Sequence, residues 1–149
     1  MGPDTELHVH CQANLTDDEL SDLTAALPEL AAMVCQRWPQ SVLGALSELE
    51  VSLVDDETLA GIHGEFLDDP TATDVITFPH GEILISTEMA LQRAGDYGKS
   101  TFGETLLYLV HGLLHLAGFD DRESQERAEM ARLQEEIWAE WMGRSRELR

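Results

Sequence analysis

The stretch His111-Gly112-Leu113-Leu114-His115-Leu116-Ala117-Gly118-Phe119-Asp120-Asp121 decides how the rest of the chain is read. Its two histidines are four apart, so on a helix they stack on one face, about 5–6 Å apart at Cβ. That spacing lets two imidazoles share one metal ion. Gly118 can take the left-handed conformation that ends a helix and turns the chain back. Asp121 can then return as a third ligand, and two His plus one carboxylate with an open position is how a catalytic zinc is held. Leu106, Leu107, Leu109, Val110, Leu113, Leu114 and Leu116 make this helix apolar nearly all round, which predicts burial. A buried helix carries two histidines at low cost only if they have partners. A metal is one such partner. The alternative is that one histidine bonds a backbone carbonyl while the other faces solvent.

Working outward, Glu6 to Gln12 alternates, Leu7, Val9 and Cys11 against His8, His10 and Gln12, as a half-buried strand does. Thr16 with Glu19 forms a capping box opening a helix from about Asp17. Pro28 is expected to start a second helical segment ending near Trp38. Leu49 to Val54 reads as a strand, and Asp56 as the cap of a short helix to about Gly64. Thr73–Phe78 and Glu82–Ser86 read as strands joined around Pro79-His80-Gly81. Ser86 caps a helix over Glu88–Ala94, and Thr101 with Glu104 forms a second capping box before the His helix. An amphipathic helix closes the chain from about Ser124 to Met142, with Ala128, Met130 or Ala131, Ile137 and Trp141 as its packing face. The pattern predicts an α+β fold, a small mixed four-stranded sheet packed with about five to six helices, the metal-bearing helix of zincin type among them.

The 149 residues fit one domain spanning 1–149, and 43% hydrophobic residues is ordinary for a globular protein. No basic segment followed by an apolar run opens the chain, and no apolar stretch reaches membrane length, so a cytoplasmic location is expected. Cys11 and Cys35 stand outside any CxxC pattern and read as reduced structural thiols. Nine basic residues against 29 acidic ones give a formal net charge of −20. A field of that sign repels free nucleic acid, and much of it belongs to a solvated acidic surface.

The His spacing is similar to the metal motif of metzincin proteases. Those enzymes place Glu, the general base, directly after the first His; here that position is Gly112, which argues against a peptidase. Three segments together resemble the YbeY family, the bacterial rRNA-maturation endoribonucleases. The family motif His-Gly-x-Leu-His-Leu-x-Gly-Tyr-Asp-His is matched from His111 to Asp120. Thr-Asp-Val-Leu-Ser-Phe-Pro is matched by Thr73-Asp74-Val75-Ile76-Thr77-Phe78-Pro79, and Gly-Asp-Ile with an apolar strand by Gly81-Glu82-Ile83-Leu84-Ile85-Ser86. Two positions depart. The family's third metal-binding His falls at Asp121, a valid zinc ligand whose charge lowers that of the complex. An Arg that precedes the Thr-Asp-Val motif in the family falls at Leu67, removing a phosphate contact tied to activity.

The resemblance implies hydrolytic cleavage of single-stranded RNA during rRNA processing, with zinc held by His111, His115 and Asp121 activating a water or polarising a phosphoryl oxygen. His₂Asp also suits iron. Asp120 is expected to orient a histidine or accept a proton, or else to serve as a turn residue. Asp74, Glu104, His80 and His63 are further candidates near the cleft, each with a plain loop, cap or surface reading beside it; His8 and His10 read as strand residues. Arg93, Lys99 and Arg122 are candidate RNA contacts, whereas Arg127 and Arg132 are expected to pair with Glu123, Glu126, Glu129 or Glu136 along the last helix. The implied partners are rRNA and ribosomal proteins or a ribosomal subunit, with no membrane. Competing readings are a non-catalytic ribosome-assembly or protein-binding factor with a structural metal, and another metallohydrolase.

Overall fold

Leu7, Val9 and Cys11 face inward while Glu6, His8 and His10 stay exposed, so the period of two expected from the sequence sets strand β1 (Glu6–Cys11) with one face on the core. A computed structural model describes residues 5–12, 15–67, 75–97 and 100–147, excluding the side chains of 63, 65–67, 96–97 and 145–147. β2 (Glu48–Val54), β3 (Val75–Phe78) and β4 (Glu82–Ser86) complete a four-stranded sheet in the order β1-β2-β4-β3. β1 pairs parallel with β2 and β2 with β4, while β3 runs antiparallel to β4 as a hairpin. Gly81, at φ +105°, turns that hairpin, and a Cβ there would lie 2.5 Å from the Glu48 carbonyl oxygen.

Around the sheet lie α1 (Asp17–Arg37), α2 (Val42–Ala45), α3 (Asp56–Leu67), α4 (Thr87–Tyr97), α5 (Thr101–Leu116) and α6 (Ser124–Glu147). This is the mixed-sheet α+β architecture the sequence predicts. α5 is the central helix, packed against α1, α4, α6 and the β3–β4 hairpin. Leu106, Leu109 and Leu113 of α5 are fully buried together with Leu23, Leu27 and Leu30 of α1 and Leu49, Leu53, Ile83 and Ile85 of the sheet. Gly112 lets α5 approach the sheet closely, because a Cβ there would sit 2.7 Å from Cγ2 of Ile83. Among the described residues no helix is long and apolar enough to cross a membrane, and neither Cys11 nor Cys35 is disulfide-bonded.

Several local expectations are corrected. Pro28 does not begin a new segment; it lies inside the single helix α1, with its ring on the exposed side. An interior proline costs about 3 kcal/mol. Fully burying a leucine or valine is worth about 1.5–3 kcal/mol, and Leu27, just before the proline, and Leu30 and Val34, beyond it, are all buried on α1. The packing face therefore overrides the proline. Asp55, not Asp56, caps α3, accepting from the Thr58 N–H at 2.7 Å, and α3 continues beyond Gly64. Hydrogen bonding to Thr58 lowers the Asp55 carboxyl below its usual range. Asp56 instead accepts from the Ser86 hydroxyl, whose oxygen also caps α4 through the Met89 N–H. α4 runs past Ala94 to Tyr97.

Thr16 and Glu19 do form the expected capping box. The second box does not form: Ser100 caps α5 through the Gly103 N–H at 2.9 Å, and Glu104 is buried in the first turn. The packing face of α6 is built from Met130, Leu133 and Ile137 with Trp138 and Trp141 partly buried, while Ala128 and Ala131 are exposed. Residues 73 and 74, expected to begin β3, lie outside the described residues.

Candidate metal centre

The end of α5 turns back on itself as Gly118 predicts. Gly118 takes φ +106°, its N–H donates to the His115 carbonyl at 3.0 Å, and the Phe119 N–H donates to the Leu114 carbonyl at 3.1 Å. These two bonds satisfy carbonyls that the helix end would leave unpaired and reverse the chain. Arg127 of α6 fastens the returning segment, donating from Nη1 to the carbonyls of Asp121 at 3.3 Å and Arg122 at 3.0 Å. That use replaces the carboxylate pairing expected for Arg127; Arg132 does pair with Glu129 and Glu136.

The turn delivers Asp121 to the two histidines. Nε2 of His111 lies 3.1 Å from Nε2 of His115, and Oδ2 of Asp121 lies 3.3 Å from the first and 3.7 Å from the second. The imidazole planes are 82° apart. Each ring is held from behind: His111 Nδ1 donates to Oε1 of Gln134 at 3.2 Å, and His115 Nδ1 donates to the Phe119 carbonyl at 3.0 Å. With the proton on Nδ1, each Nε2 carries a lone pair. Two lone pairs and a carboxylate oxygen thus converge on one point, an arrangement that could hold a metal ion. Burial first, and then the neighbouring His111, hold the His115 imidazole below its ordinary pKa, against the opposing pull of Asp121, the Phe119 carbonyl and Asp120. That favours the neutral form a metal requires.

Beside His115 opens a cleft of about 400 Å³ lined by Val42, Val75, Thr77, Pro79, Leu116, Gly118, Phe119, Asp120 and Arg122. Asp120 sits at its rim, accepting from the Asp121 N–H at 2.8 Å through Oδ1 and pairing through Oδ2 with Arg122 Nε at 3.3 Å. Glu104 is buried on the helical face that carries His111, with Oε2 lacking a hydrogen-bond partner among the described residues. His80 stacks on Phe78 and lies 3.3 Å from Glu82, and neither it nor Arg93 is in the cleft lining. His8 pairs with Glu6 on β1. Together with Glu48 they form a second group with ligand atoms within 4.8 Å, on the far edge of the sheet. Asp74, Lys99 and the side chains of His63 and Leu67 lie outside the described residues. Gln134 was not anticipated. Its signal in the sequence is a polar residue between Leu133 and Ile137, on the stripe that α6 buries.

A family model described as "Endoribonuclease YbeY" matches residues 11–142. A protein named Endoribonuclease YbeY from Paenarthrobacter aurescens is 36% identical over 115 residues, covering 66% of this chain and 73% of its own length. One of the same name from an Arthrobacter species is 31% identical over 155 residues, covering 93% of this chain and 94% of its own. Among solved structures, the solution structure of TM1509 from Thermotoga maritima superposes with a TM-score of 0.57 at 23% identity, over 93% of each chain, a likeness of fold.

Proposed function

The chain belongs to the YbeY family, and from that premise we propose that it is a metal-dependent endoribonuclease that cleaves single-stranded RNA during rRNA maturation. The observation that carries the reading is the convergence of His111 Nε2, His115 Nε2 and Asp121 Oδ2. Zinc bonds nitrogen and carboxylate oxygen at about 2.0–2.2 Å in a tetrahedron, whose edges are then roughly 3.3–3.5 Å. The separations of 3.1, 3.3 and 3.7 Å among the three atoms straddle that edge. The donor set therefore fits one zinc with a fourth position open. Iron takes the same ligand types; the lack of any cosubstrate motif favours zinc.

A metal held there supplies a Lewis acid for a water or a phosphoryl oxygen. The chain's own residues do the rest. Gln134 and the Phe119 carbonyl keep both Nε2 lone pairs aimed at one point. Asp120, in the cleft lining beside His115, is assigned the role of orienting the attacking water or accepting its proton, with Arg122 exchanging Asp120 for a phosphate. Gly112 gives the peptidase reading no support: Ile83 Cγ2 would lie 2.7 Å from any Cβ there, so a glutamate meets a clash at its first side-chain atom. The active unit is one domain working in the cytoplasm, with rRNA, ribosomal proteins or a ribosomal subunit as partners.

The test is metal content by elemental mass spectrometry on untagged protein, beside Asp121→Ala, followed by cleavage of single-stranded RNA and of ribosomal particles. About one zinc per chain, lost in the variant, with metal-dependent cleavage abolished by His115→Ala, is the expected result. A metal-loaded protein that cuts neither RNA nor particles overturns it. The net charge of −20 and Leu67 at the family's Arg position then favour a second reading, a non-catalytic assembly factor with a structural metal.

A further inference from the structure

The cleft beside His115 has walls that the metal ligands do not use. Val42, at 49% exposure, is one of two large hydrophobic residues left exposed among the described residues, and it lines this cleft. Val75 and Thr77 of the edge strand β3 line it too. Phe119 closes the side nearest the metal ligands. Its ring meets Trp38 edge-on at 4.8 Å, and its carbonyl holds His115 Nδ1, so one residue fixes both an apolar wall and a metal ligand. The Thr77 hydroxyl is buried without a hydrogen-bond partner among the described residues. Such a hydroxyl carries an uncompensated desolvation cost, and it belongs to a residue of the cleft lining. Arg122, with 86% of its side chain exposed, is the cation in the lining.

We propose that this cleft seats one unstacked nucleobase of the substrate strand, packed against Val42, Val75 and Phe119. The Thr77 hydroxyl meets its polar edge, and Arg122 takes an adjoining phosphate. The proposal rests on the RNA-cleavage reading above. A nucleobase joins an apolar face to a polar rim and is tethered to an anion, and the lining offers apolar side chains, a hydroxyl and a cation to match. Single-stranded RNA is ordinarily gripped by unstacking bases onto aromatic and apolar side chains. A cleft of about 400 Å³ lies in the range of small-ligand sites. Base contacts also compensate for a chain whose charge of −20 weakens any grip on phosphates alone.

The experiment uses a short unstructured oligoribonucleotide and a series of the same strand with one abasic position in each. Binding to the chelated full chain is read by fluorescence anisotropy, and KM and kcat for the metal-loaded chain by cleavage. One abasic position near the cut is expected to weaken binding and raise KM roughly five- to hundredfold. Phe119→Ala and Val42→Ser, the latter at an exposed position that leaves the core intact, are expected to shrink that difference, while Phe119→Tyr keeps it. Cleavage with equal affinity for every abasic strand overturns the base seat and leaves the nuclease reading standing. An abasic penalty that persists undiminished in both Phe119→Ala and Val42→Ser also overturns it. Binding and cleavage of no RNA at all overturn both, and saturable binding of an apolar peptide in the same cleft, lost in Val42→Ser, would then assign the cleft to a protein.

Discussion

Gln134 of α6 accepts a hydrogen bond from Nδ1 of His111, 23 residues earlier in the chain, at 3.2 Å. The bond joins the final helix to one of the three candidate ligands and sets which ring nitrogen carries the proton. Partners of this kind commonly control metal affinity by 10- to 100-fold. Gln134→Leu is therefore expected to weaken metal binding by about that factor while the fold is retained, and Gln134→Glu to preserve or tighten it. Competition with a chelator of known affinity reads the difference. Equal affinity in Gln134→Leu would remove the residue from the site.

Gly112→Ala is expected to destabilise the protein. The new methyl would lie 2.7 Å from Cγ2 of Ile83, which is itself fully buried. Overpacking of this kind costs about 1–3 kcal/mol, against about 1 kcal/mol gained in helix propensity. Because the clash is with the branch of a locked side chain, the cost wins. Urea unfolding of the single variant and of Gly112→Ala with Ile83→Ala checks this, the second change relieving part of the clash.

His115 confers a pH dependence on the chelated protein. Its folded pKa is depressed, chiefly by burial, whereas the unfolded chain has the ordinary value of about 6.5. Between those two values the unfolded state binds more protons, so stability falls as pH drops below about 6.5 and levels off below the folded value. Carboxylates titrating over an overlapping range act on the same curve, so the comparison is with His115→Gln, in which this component of the slope disappears. Thermal unfolding in chelator at pH 7.5 and pH 5.5 would reveal it, and an identical slope in the variant would refute it.

Pro28→Ala is expected to stabilise α1. The proline sits in the helix interior and leaves the Thr24 carbonyl without its usual donor, while its ring faces solvent and contributes nothing to the core. Restoring the N–H gains on the order of 1–3 kcal/mol, which denaturant unfolding would register as a higher midpoint at unchanged slope.

The elements legible in the sequence were those whose pattern and packing agree. Leu7, Val9 and Cys11 alternate and face the core; His111, His115, Gly118 and Asp121 carry their geometry in their spacing. What was not legible depends on choices between near-equivalent neighbours. Ser100 and Thr101 both offer a capping hydroxyl, and so do Asp55 and Asp56 a capping carboxylate. Burial of Glu104 and the engagement of Asp56 by Ser86 decide which is used, and both are tertiary facts. Pro28 carries a strong local signal that a long apolar face overrides. Arg127 reads as an ion-pair residue because nothing local announces the two carbonyls that it reaches.

All three candidate ligands fall within the eleven residues from His111 to Asp121, whereas the group that orients His111 comes from α6. His115 finds its orienting carbonyl at Phe119 inside that segment, so it is the tuning of His111 alone that is written in a separate part of the chain. Drift in the last helix alone can therefore alter how well His111 is set to hold an ion, with the segment from His111 to Asp121 untouched. Conversely, the segment is a portable cassette: moved to another buried helix end, it would carry the candidate coordinating atoms and the carbonyl that orients His115, but leave behind the residue that orients His111.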